Sequence, residues 1–314
     1  MPNCEKARHI AKCLELAVLF EVTANKPGNV NLVVGFEGTR VEHFLASAVA
    51  AAPSFEEAAK RGTAVANGKL PMSEVGLGQL MKDCVADISE RQTGGNTLLG
   101  TVVLFMPIAV AAGITPMKGD SFDLAALRKN IKLTVESTTA VDAVKLYEAI
   151  AIANPSGLNG APDLDVKDAN SKTRLIKENV SLFEVFKIAA GYDDVCREWV
   201  TNYPITFDAA YPYLMEQLKS KSLNHAITNT FLKVLAGRPD TFIARKIGRP
   251  KARQVSEDAR GVLELGGAET PQGKESLVKF DKKLRNSGND YNPGTTADII
   301  AAALALCTLS GYRP

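Results

Sequence analysis

Aromatic residues make up only 6% of this 314-residue chain, with a single tryptophan and three histidines. With Ala and Leu abundant, that scarcity favours helix over sheet. Net charge is nearly absent too: +2 is too little to argue for non-specific nucleic-acid binding. The five cysteines, Cys4, Cys13, Cys84, Cys196 and Cys307, are dispersed and odd in number. They read as free thiols in a reducing compartment, which excludes a disulfide frame or zinc site. No basic-then-apolar secretion signal opens the chain, so a cytoplasmic location is expected. The longest apolar run, Leu98 to Ala112, is too short for a membrane span and contains Pro107, and so reads as a buried core helix.

What is present is mostly helical periodicity. The expected fold class is all-α, one large multi-helix domain over residues 1–314 with little or no sheet. Glu5 to Glu21 has helical spacing and ends at Pro27-Gly28; Val30 to Val34 has the residues of a short strand. Thr39 with Glu42 reads as a capping box for an Ala-rich helix that stops near Pro53, and Thr139 with Asp142 as another. Ser121 is expected to cap a helix running to Leu133, and Thr270-Pro271 to start one running to Asn286. Residues 154–172 form the least regular stretch, either a boundary or an active-site loop, with Asp163, Asp165 and Asp168. These carboxylates lack the glycine and closing Glu of a calcium loop, leaving solvated loop or Mg²⁺ site open. Asp194 and Glu198 read as a surface charge cluster or a carboxylate pair. Arg238 to Arg253 is basic, able to meet a phosphate-bearing acceptor or to be neutralised by Asp240, Glu257 and Asp258.

Three turns rich in small polar residues stand out. Asn292-Pro293-Gly294-Thr295-Thr296-Ala297-Asp298 precedes an apolar run, with Thr295 and Asp298 at capping-box spacing. A helix start there would leave its first N–H groups free for an anion. Gly94-Gly95-Asn96-Thr97-Leu98-Leu99-Gly100 repeats the logic, and Asn25-Lys26-Pro27-Gly28-Asn29 follows the first helix. Each is equally an ordinary helix-capping turn. Together they suggest one anion-binding site.

With these motifs in place, the chain resembles the triphosphoribosyl-dephospho-CoA synthase family, which makes the prosthetic-group precursor of citrate lyase and malonate decarboxylase. The resemblance rests on Glu21-Val22 with Lys26-Pro27-Gly28, Phe44-Leu45 with Ser47-Ala48, Asn96-Thr97 with Gly100, and Asn292-Pro293-Gly294 with Ala297-Asp298. It implies an all-helical enzyme that takes ATP, releases adenine and transfers a triphosphoribosyl group to a hydroxyl of dephospho-CoA. Two departures are visible. Phe36-Glu37-Gly38-Thr39-Arg40 stands where a His/Asp-rich stretch is expected, and Leu98-Leu99 where His-Lys is expected. They leave open phosphoribosyl transfer to another hydroxyl, such as that of a methanopterin-type cofactor precursor, with phosphoribosyl pyrophosphate as an alternative donor. A non-catalytic nucleotide-binding helical protein is the reading from another class.

Displacing a base from a ribose anomeric carbon builds oxocarbenium character, which calls for a carboxylate nearby and a base for the incoming hydroxyl. Glu21 and Asp298, both in motifs that match the family, are the first candidates, Asp298 also as a Mg²⁺ ligand, and Glu42 or His43 could face the site in place of the missing polar residues. Lys26, Gly28, Asn96, Thr97, Asn292, Gly294, Thr295 and Thr296 are the expected nucleotide-phosphate contacts, with Asn96 and Asn292 alternatively only stabilising their turns. His9 and His225 read as structural. The expected partners are a nucleotide donor and a hydroxyl acceptor, without nucleic acid or membrane.

Overall fold

The computed structural model describes residues 3–158, 161–286 and 288–314. Among them are fifteen α-helices: α1 Asn3–Thr23, α2 Val41–Ala66, α3 Leu77–Arg91, α4 Leu99–Ile114, α5 Leu124–Glu136, α6 Ala140–Ala153, α7 Ser171–Lys177, α8 Leu182–Ala189, α9 Asp194–Thr201, α10 Tyr211–Leu218, α11 Leu223–Gly237, α12 Thr241–Ile247, α13 Arg249–Glu264, α14 Pro271–Arg285 and α15 Gly294–Leu309. The only sheet among the described residues is a hairpin of two short strands, β1 Met117–Lys118 and β2 Ser121–Phe122. The all-α expectation holds.

The two apolar runs become the interior. Helix α4 is buried continuously from Thr101 to Gly113 and α15 from Ile299 to Leu309, and the two pack together beneath α1, α2 and α11. Each buried Leu, Ile or Phe contributes about 1.5–3 kcal/mol, enough to hold helices whose surfaces carry no polar face. Close packing of α2 on α4 depends on missing side chains: a Cβ at Gly62 would overlap Val110, and one at Gly113 would lie 3.0 Å from the carbonyl carbon of Ala59. No helix of the described residues is long and apolar enough to cross a membrane.

Proline does not end either of the two helices that carry it in their interior, α2 and α4. Pro107 has no N–H for the carbonyl of Val103, four residues earlier. That carbonyl instead accepts from Nε1 of Trp199 at 3.0 Å, and Tyr203 Oη donates to Leu104 O at 3.1 Å. The lone tryptophan thereby compensates the break in the core helix. In α2 the expected stop at Pro53 is corrected: the helix continues to Ala66, and Pro53 lies on its exposed face, where water can serve an unpaired carbonyl.

Other local expectations are revised by competing side-chain bonds. Val30 to Val34 is not a strand, because Asn31 Oδ1 accepts from the N–H groups of Val33 and Val34 at 2.9 Å and folds the segment into a turn. Ser121 lies in the hairpin, and α5 is capped by Asp123, which accepts from Ala126 N at 2.7 Å. Thr139 and Asp142 form the expected box, and Thr270 caps α14. The basic segment splits between α12 and α13. The described residues of 154–170 form no helix; Asn159 and Gly160 lie outside the described residues.

Candidate active site

All three turns line one cavity of about 410 Å³. Asn29 follows the Lys26 turn; Asn96 and Thr97 come from the turn before α4; Asn292, Gly294 and Thr295 come from the start of α15. Their contacts are direct. Asn29 Nδ2 donates to Asn292 Oδ1 at 3.1 Å, and Thr39 Oγ1 donates to Gly94 O at 2.8 Å. Asn96 Oδ1 accepts from Leu99 N at 3.1 Å, while Thr97 Oγ1 lies 2.7 Å from Ser47 Oγ, which donates to His43 O.

Asp298 and Glu21 face this cavity from α15 and α1. Thr101 donates to Asp298 Oδ1 at 2.7 Å, and no hydrogen bond to Oδ2 occurs among the described residues. Room for Oδ2 comes from Gly100, where a Cβ would lie 2.6 Å from Asp298 Cγ. Burial pushes the Asp298 carboxyl up to about 7, with Glu21, Asp240 and Asp193 adding repulsion and the Thr101 bond opposing.

Lys26 does not line the cavity. It is fully buried behind Glu21, 3.1 Å from Oε1, and its ammonium also reaches the carbonyls of Glu21, Ala24 at 3.3 Å and Val30 at 3.5 Å. Glu21 Oε1 therefore has the neighbouring charge but no aligned donor. Burial raises the Glu21 carboxyl and lowers the Lys26 ammonium, and their mutual attraction opposes both shifts. Gly28 points elsewhere too, its N–H donating to Asp281 Oδ1 at 2.8 Å.

The remaining expected residues are placed as follows. Glu42 is exposed on the first turn of α2, 3.8 Å from Arg40, and does not line the cavity. His43 is tied up as a cap, its Nδ1 accepting from Arg40 N at 3.0 Å, with Gly94 packed on its ring. Phe44, next in the chain, does line it, and so do Leu98 and Leu99.

The start of α15 is not the free anion site expected from its spacing. Thr296 N and Oγ1 both donate to Asp240 Oδ2 at 2.7 Å, while Asp240 Oδ1 accepts from Phe242 N at 2.9 Å and Ile243 N at 3.0 Å. One buried carboxylate thus caps two helices, each presenting partial positive charge. Burial raises the Asp240 carboxyl and these donors oppose the shift. Thr241 Oγ1 accepts from Asp194 N and donates to Thr295 Oγ1, both at 3.1 Å, so the starts of α9, α12 and α15 converge.

Asp193 and Arg245 form an ion pair on the same wall, beside Phe242. The sequence marked Arg245 only as one basic residue among six, and Asp193 and Asp240 not as site residues. Both aspartates do stand immediately before helices, a capping signal readable in the chain. Asp194 and Glu198 are not a surface cluster: Asp194 pairs with Arg238 at 2.8 Å, and fully buried Glu198 accepts from Ile205 N at 2.9 Å and Thr206 N at 2.8 Å.

The acidic loop stays away from the cavity. Asp163, Asp165 and Asp168 accept backbone N–H groups of their own loop, and Arg174 pairs with Asp163 at 2.8 Å. No group of three or more metal-ligating side chains occurs among the described residues.

Fold and cavity together define an all-helical protein with a polar-lined cavity of small-molecule size. Residues 7–314 match the model of the ATP:dephospho-CoA triphosphoribosyl transferase family, and the chain belongs to that family. It is thus a triphosphoribosyl transferase acting on ATP and dephospho-CoA in the synthesis of a coenzyme precursor. A crystal structure from Archaeoglobus fulgidus, provisionally described as a triphosphoribosyl-dephospho-CoA synthase, shares the fold. Its TM-score is 0.63 at 23% identity, covering 87% of this chain and all of that one.

Proposed function

We propose that the 410 Å³ cavity is where this chain, acting as one helical domain in the cytoplasm, transfers triphosphoribose, with Glu21 and Asp298 as its two working carboxyls. The observation that supports this is that both carboxyls line the one cavity, Glu21 from α1 beside the Lys26 ammonium and Asp298 from α15 with Oδ2 open. Glu21, whose charged form Lys26 supports against the burial that raises its carboxyl, opposes the positive charge that grows on the ribose as the bond to adenine lengthens. Asp298, with a pKa of about 7, is matched to removing the proton of the incoming hydroxyl. Asn96, Thr97, Asn292, Gly294 and Thr295 are the wall against which the nucleotide is held.

A Mg²⁺ ion accompanying the triphosphate fits this site only as a partner of the phosphates. Such ions commonly use one or two protein carboxylates and take their other ligands from phosphate and water. Asp298 and Glu21 are the carboxyls that would hold it, and the ion would neutralise phosphate charge.

Incubating the protein with base-labelled ATP, Mg²⁺ and dephospho-CoA is expected to release adenine, and Asp298→Asn to abolish release while the helical spectrum survives. Adenine release by Asp298→Asn at the unmodified rate would overturn the assignment. Release only when dephospho-CoA is replaced by another hydroxyl compound would overturn the acceptor.

A further inference from the structure

Positive charge is scarce in the cavity. Of the described residues lining it, Arg245 is the one cation, beside three carboxyls, those of Glu21, Asp193 and Asp298. Lys26 is sealed behind Glu21. Lys246 does not itself line the cavity; its Nζ is held on two residues that do, donating to Asn289 O at 2.6 Å and lying 4.1 Å from the centroid of the Phe242 ring. A polyphosphate entering this space has one guanidinium to meet.

That guanidinium is incompletely used. Arg245 Nη1 donates to Asp193 Oδ2, but its Nε–H is buried without a hydrogen-bond partner. An unmet buried donor is unfavourable, so the planar fork that Nε–H makes with the parallel Nη2–H is poised for an acceptor. Phosphate oxygens match that planar fork. Asp193 can release it without losing helix α9, because its other oxygen, Oδ1, is the cap, accepting from Val195 N at 2.8 Å and Cys196 N at 3.3 Å.

We propose that Arg245 is the triphosphate-binding cation of this cavity, held by Asp193 until a polyphosphate replaces the carboxylate as its partner and accepts from Nε–H and the parallel Nη2–H. The identity of the polyphosphate rests on the triphosphoribosyl-transfer reading; the handover itself rests on the Arg245–Asp193 geometry.

The test is calorimetric titration of the full chain with inorganic tripolyphosphate, ATP and adenosine at fixed salt. Arg245→Met is expected to weaken tripolyphosphate and ATP about 10- to 100-fold and leave adenosine unchanged. Asp193→Asn keeps the Oδ1 cap and removes the competing charge, so it is expected to tighten tripolyphosphate, a sign that a merely structural ion pair would not give. Tripolyphosphate bound equally by Arg245→Met and the parent, no binding by the parent, or weaker or unchanged binding by Asp193→Asn would each overturn the proposal. Should Arg245→Met not fold, the sign for Asp193→Asn decides alone. The two readings fail separately. Arg245-dependent tripolyphosphate binding without adenine release sinks the transfer reading; adenine release by Arg245→Met with an unaltered KM for ATP sinks only the role of Arg245.

Discussion

Gly100 and Asp298 are in contact across the cavity floor: the carboxyl of one occupies the space that a side chain on the other would fill. Gly100→Ala is therefore expected to displace Asp298 while improving the first turn of α4 by about 1 kcal/mol of helix propensity, against about 1–3 kcal/mol of overpacking. Stability changes little. Turnover is expected to fall about 100-fold, since a misplacement near 1 Å suffices for that. Adenine release measured beside a thermal melt checks both halves.

Asp298 gives a pH prediction. Its folded pKa of about 7 lies above the unfolded value of about 4. The native state then binds more protons, so stability declines as pH rises from about 4 through about 7 and levels off above. Asp298→Asn removes this decline, and its melting temperature relative to the parent is expected to be more favourable at pH 8 than at pH 5. Turnover of the parent is expected to rise through pH 7 as the base ionises. Ligation of Mg²⁺ by Asp298 would instead keep it ionised, so a profile flat across pH 7 in Mg²⁺ assigns it to the metal.

Lys26 and Glu21 form a buried pair, so removing one partner leaves the other's charge unpaired. Lys26→Met is expected to destabilise the fold by about 3–5 kcal/mol. Adding Glu21→Gln should recover much of that loss without restoring turnover. Denaturant melts of the parent, single and double variants measure the coupling; simple additivity of the two losses would show that the pair is not a unit.

The parts of the molecule legible in the chain were those set by neighbours in sequence. Helix α4 and helix α15 follow from apolar runs that have no polar face, and the Thr139–Asp142 box from spacing alone. The Asn96 and Asn292 turns were visible as clusters of small polar residues. The local signal misled at Pro53, which does not end α2 because its face meets water, whereas the core helix expected through Pro107 holds because Trp199 serves the carbonyl that the proline leaves.

By itself, then, the sequence determined the helical class, the two interior helices, the three turns, and Glu21 and Asp298 as carboxyls of interest. Only the tertiary structure decided what each turn does. It turned Lys26 inward onto Glu21, used His43 as a cap, and filled the start of α15 with Asp240, 56 residues away. It also joined Asp193 to Arg245, 52 residues apart, on the cavity wall. The reason is physical. Helix period and capping depend on residues within a turn of each other, whereas which carboxylate meets which donor depends on how whole helices pack. The opening stretch of α15, which in sequence looked like a free anion site, thus became a wall beside which the one lining cation among the described residues, Arg245, comes from the neighbouring helix α12.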